Sequence, residues 1–200
     1  MKNQARTALV GAVLTVGFVS PFLAGLIAER QLRASRVDVS APDEPAYPCA
    51  GPEIPFLLDY GRSLARARVS RKPVLLYFTA VNSIDTRVFE VNVLKSPAVL
   101  ARLGKFECAA VVLDIVPHSD ASEAARIYSQ NQKLREQFFD DQGLRWRQTI
   151  AVVRPEFDGT PASGARQLLA KAVSWELTND PSIVGRFLDD ALRKWSESKK

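Results

Sequence analysis

The chain has 200 residues, 46% of them hydrophobic, with two cysteines, one histidine and a net charge of +5. Residues 1–36 hold five basic side chains and one acidic, so the remainder, with 22 basic and 21 acidic groups, has a nearly neutral field and no signature of a nucleic-acid partner. Cys49 and Cys108 are too few for a disulfide scaffold and lack metal-ligand spacing; neither a metal nor a cofactor is expected.

In chain order, the first element is the uncharged run Thr7 to Ala28. As a helix its 22 residues reach about 33 Å, against a hydrocarbon core of about 30 Å, so residues 7–28 are read as a transmembrane anchor. Pro21 is tolerated in such a helix. The rival is a cleaved secretory signal, whose apolar region is usually only about 7–15 residues, with Ala24-Gly25 as the nearest cleavage candidate. Lys2 and Arg6 oppose Arg30, Arg33 and Arg36 across the run, so the positive-inside rule gives no orientation.

Residues 29–55, with prolines at 42, 45, 48, 52 and 55, read as an extended spacer. From Phe56 to Arg71 the apolar positions Phe56, Leu57, Tyr60, Leu64, Ala65 and Ala67 predict an amphipathic helix. Lys72-Pro73 stops it, and Val74–Phe78 is a continuous apolar run expected to be a buried strand. Ser96-Pro97 opens a helix through Leu103. Cys108–Leu113 is then a second strand, parallel to the first because a helical crossover separates them. Ser122–Phe139 is helical by composition, Thr149–Val153 is a third strand, and Asp158-Gly159 marks a turn. Leu168–Trp175 returns as a hairpin strand, and Asp180-Pro181 caps a last helix whose apolar face is Ile183, Val184, Phe187, Leu188, Ala191, Leu192 and Trp195. The expectation is one α/β domain over residues 56–200, without internal repeats.

This order of elements is that of the thioredoxin fold, and the local wording is more specific. Residues 72–103, KPVLLYFTAVNSIDTRVFEVNVLKSPAVLARL, resemble the thioredoxin-like domains of periplasmic disulfide reductases, including the C-terminal domain of the transmembrane thiol:disulfide interchange proteins. Those domains have lysine-proline before a strand, CxxC at the start of the next helix, a glutamate just after it, and a small-proline step into another helix. Residues 131–159 resemble the family's approach to the third strand and its Asp-Gly turn. The resemblance implies a central mixed sheet flanked by helices, preceded here by the one transmembrane helix over residues 7–28 in an inner membrane, and a periplasmic domain.

It also implies a loss. Ser83-Ile84-Asp85-Thr86 stands in place of CxxC, with Ser83 and Thr86 at the two redox positions, and Gln148 stands at the family's cis-proline. Disulfide exchange needs a thiolate with a pKa near ambient pH, which neither hydroxyl supplies. Cys108 begins its strand, so six residues at about 3.3 Å put it roughly 20 Å from Ser83, and it reads as a small core residue. For Cys49, in the spacer, three states stay open: a free thiol, a bond to another chain, or a tie to Cys108. Ser83 as a hydrolytic nucleophile lacks a placed base, His118 lying in the loop Pro117–Asp120; a helix N-cap role for Ser83 or Asp85 fits better.

Asn82, Asp85 and Gln148, with Ser83, would line a binding surface on the former active-site edge. Arg145, Trp146 and Arg147 form a basic and aromatic cluster of the kind enriched at protein–protein hot spots, or a local cap with solvated arginines. The function expected is a membrane-anchored, redox-inactive domain that binds a protein partner or assists assembly in envelope disulfide or cytochrome biogenesis. The alternative is a thiol–disulfide oxidoreductase working through Cys49 or Cys108 with a partner thiol.

Overall fold

A computed structural model describes residues 46–50, 54–138, 149–156, 167–173 and 179–199. Its centre is strand β3 (Val74–Thr79), six residues all buried. A continuous apolar run is what a strand covered on both faces requires. Strand β4 (Glu107–Val112) lies parallel to it in full register, Val74 opposite Glu107 and Thr79 opposite Val112. Strand β5 (Thr149–Val153) runs antiparallel along the other side of β3, and β6 (Leu168–Val173) pairs antiparallel with β5. These elements follow the sequence expectation closely.

Two short strands depart from it. Ala46–Tyr47 forms β1 and Phe56–Leu57 forms β2, which pair with each other antiparallel, and β2 pairs parallel with Cys108–Ala109. The sheet order is therefore β1-β2-β4-β3-β5-β6. The helix expected from Phe56 starts four residues later, as α1 (Tyr60–Ser70), because Phe56 and Leu57 are buried by pairing with β4 and not by a helical face. Asp59 is the stop between them: its side chain accepts the Arg62 N–H at 3.2 Å as the N-cap. The expected spacer over 29–55 likewise yields its last stretch to the core, since Tyr47, Cys49 and Ala50 are buried.

Helices cover both faces. On one side of the sheet α1 supplies Tyr60, Leu64 and Ala67, and α4 (Ala121–Phe138) supplies Leu134 and Phe138, against Leu76, Phe78, Val111 and Val153. On the other side lie α2 (Ile84–Phe89), a single π turn (Glu90–Leu94), α3 (Pro97–Leu103) and α5 (Pro181–Glu197), packing Phe89, Leu94, Leu103, Val184 and Leu188 on Leu75, Tyr77, Ala110 and Ile150. Asp180 caps α5 through the Ser182 N–H, as its sequence signal indicates. No helix among the described residues is long and apolar enough to cross a membrane, and the expected anchor over 7–28 lies outside them.

Candidate functional site

The C-terminal edge of the parallel pair is where loops converge in an open α/β sheet. Here β3 ends at Thr79, and the turn through Val81 and Asn82 leads directly into α2. That turn is fixed from the neighbouring strand: Asp114, just past β4, accepts the Val81 N–H and the Asn82 N–H at 2.8 Å each. Burial pushes the Asp114 carboxyl up, but the backbone N–H groups of Asn82, Val81 and Ile115 together hold it below its ordinary range.

Ser83 is the N-cap of α2, its hydroxyl accepting the Thr86 N–H at 3.3 Å. Thr86 is only 2% exposed, and Asp85 stands exposed in the first turn, where a carboxylate suits the helix dipole. The other cap candidate, Asp85, makes no such bond among the described residues. Asn82 is exposed. His118 pairs with Asp120, whose carboxylate caps the start of α4, so it is engaged in that loop and not with Ser83. Gln148 and the cluster Arg145, Trp146 and Arg147 lie outside the described residues.

Beneath the edge sits a polar cluster that sequence reasoning missed. The π turn begins at Glu90, which is 3% exposed. Its Oε1 accepts from the hydroxyls of Tyr77 and Thr79 at 3.3 Å, and its Oε2 receives Arg87 Nη1 at 2.7 Å. Arg87 reaches on to the Tyr47 hydroxyl and lies over that ring at 5.2 Å. Burial raises the Glu90 carboxyl despite Arg87, and burial together with the Glu90 charge drives the Tyr77 phenol well up. Arg87 and Glu90 at i, i+3 were the legible part; Tyr47, forty positions upstream, carried no signal.

Around the same edge four apolar side chains face solvent. Ile84 is 79% exposed, and Val88 and Val91 follow at helical spacing along α2 and the π turn, while Ile115 stands exposed beside Asp114. Together Ile84, Val88 and Val91 make an uncovered stripe at i, i+4 and i+7.

No protein-family model matches the chain, and no curated protein matches its sequence. A solved structure described as DsbH oxidoreductase superposes over 82% of this chain and 98% of its own length, with a TM-score of 0.52 and 17% identity. The fold is thioredoxin-like. On this thioredoxin-like frame neither sulfur is carried by α2. Cys108 is the second residue of β4, with its Sγ against the Leu103 carbonyl at 3.9 Å, and Cys49 follows β1; both are free thiols and both are buried. Burial pushes both thiols up, and the Glu90 charge adds to it at Cys49, so neither is held as thiolate.

Proposed function

We propose that this is a redox-inactive thioredoxin-like domain that binds another protein at the edge formed by the β3–α2 turn and the end of β4. The supporting observation is the start of α2. A serine there spends its hydroxyl as a helix cap and Thr86 is buried, so no group at this edge can attack a disulfide sulfur, while the apolar side chains of Ile84 and Ile115 stand open to solvent. Residues Asn82 and Asp85 flank that apolar surface with polar groups, and Gln148, Arg145, Trp146 and Arg147 belong to the same proposed surface through the sequence resemblance. Ser83 and Thr86 are, in this reading, the former redox positions. The uncharged run over 7–28 tethers the domain to an inner membrane on its periplasmic side, where local concentration makes a weak contact sufficient. The setting is envelope disulfide or cytochrome biogenesis.

The name of the similar solved structure favours a second reading, a thiol–disulfide oxidoreductase that uses Cys49 or Cys108 with a partner thiol. Insulin reduction by dithiothreitol separates the two. The intact chain is expected to leave the rate at that of dithiothreitol alone, and a Cys49→Ser, Cys108→Ser variant to behave identically. An acceleration by the intact chain that the double variant loses establishes the oxidoreductase instead.

A further inference from the structure

The segment that precedes β2 is attached to the sheet by very little backbone. Among the described residues strand β1 is two residues long, lies at the edge of the sheet, and pairs only with β2, itself two residues long. What holds it is side chains. Tyr47, Cys49 and Ala50 are 3%, 0% and 4% exposed and belong to the buried cluster that contains Phe89 and Leu94. Beyond the short ladder, the side-chain polar attachment seen among the described residues is Arg87, which donates to the Tyr47 hydroxyl and lies over its ring. Arg87 is itself held by Glu90 at 2.7 Å and by the Ala80 carbonyl at 3.3 Å. Its Nε is buried with no hydrogen-bond partner among the described residues, which leaves the clasp short of full satisfaction and favours its exchange for water.

We propose that Ala46–Ala50 is a detachable strap, clasped to α2 by Arg87, that opens while the rest of the sheet stays folded. A two-residue ladder at a sheet edge is the kind of element that opens locally, well below the free energy of global unfolding. Opening uncovers the Cys49 thiol and the buried Glu90 carboxylate, and it frees five residues, which lengthens the connection to the preceding chain by about 17 Å when extended. The strap thus sets both how far the domain reaches from whatever holds residues before Ala46 and whether the inner face of α2 is covered.

Cys49 and Cys108 are native reporters of the two kinds of opening. Cys49 is uncovered by the strap alone, whereas Cys108 sits in β4 between β2 and β3 and reports global unfolding. In the intact chain under native conditions, alkylation by iodoacetamide followed by peptide mass spectrometry is expected to modify Cys49 faster than Cys108. Arg87→Ala is expected to speed Cys49 about tenfold or more and to leave Cys108 unchanged. Equal rates at the two thiols in the wild-type chain, or an unchanged Cys49 rate in Arg87→Ala, overturn the strap. If Arg87→Ala unfolds the domain and exposes both thiols alike, Tyr47→Phe decides, because it keeps the ring and deletes only the clasped hydroxyl: faster labelling of Cys49 alone supports the strap, and an unchanged rate overturns it.

Discussion

A chain carrying Ser83→Cys and Thr86→Cys reduces insulin in the presence of dithiothreitol about tenfold or more faster than dithiothreitol alone. The start of α2 supplies the placement of the two side chains, and sulfur is what it lacks there. Positions 83 and 86 stand at i and i+3 across the first turn of α2, where neighbouring Cβ atoms are about 5–6 Å apart, so closing a disulfide must draw them together to about 4 Å. The residue at 83 sits at the N-cap, where helix N–H groups and the dipole favour a thiolate, and the residue at 86 is 2% exposed, placed to resolve a mixed disulfide from inside. Substitution at 83 removes the capping hydroxyl, which costs about 1 kcal/mol and is small beside the stability of a domain of this size. Thiol titration gives an independent check: the reduced variant shows two thiols more than the wild-type chain, and oxidation removes those two while Cys49 and Cys108 stay free. If the added thiols neither pair nor accelerate the reaction, positions 83 and 86 are not the former redox positions and the resemblance over residues 72–103 has been misaligned.

The largest stability loss from a single truncation is expected in the centre of the sheet. Phe78 is fully buried in β3, between β4 and β5, and its ring meets Phe138 of α4 at a centroid distance of 5.4 Å. Phe78→Ala removes that contact and leaves a cavity under α4 that rigid neighbouring strands cannot collapse, at a cost of about 3–5 kcal/mol. Urea unfolding followed by circular dichroism should show the midpoint falling with little change in slope. Val69, 70% exposed at the end of α1, is the control, and Val69→Ala is expected within about 0.5 kcal/mol of wild type. A loss below about 1 kcal/mol for Phe78→Ala contradicts the packing of α4 on β3.

Much of the fold is legible in the sequence because its central strands leave no ambiguity of period. VLLYF, CAAVVL and TIAVV are short unbroken apolar runs bounded by breakers, and each becomes a strand at nearly the expected place. What escapes is held by tertiary contacts. The two-residue strands β1 and β2 have no propensity signal of their own; Phe56 and Leu57 fit the helical spacing of the residues that follow, and only the Asp59 cap separates them. The π turn is set by a carboxylate reaching back to Tyr77 and Thr79, which no local pattern announces. At the site, the cap role of Ser83 was legible because a small hydroxyl preceding a helical run has few other uses there. The apolar stripe of Ile84, Val88 and Val91 was not, since the same spacing ordinarily marks a buried face.

The edge around α2 is the claim on which the function rests, and site-specific photocrosslinking tests it most directly. A benzophenone amino acid is placed at Ile84 of the intact chain in its native membranes, with Val69, at the opposite end of the sheet near the start of β3, as the equally exposed control. The expected result is a discrete protein adduct from position 84 that is absent from position 69 and is lost when Val88→Asp puts a charge in the apolar stripe. Adducts of equal yield from both positions, or adducts from position 84 that survive Val88→Asp, contradict a protein-binding edge.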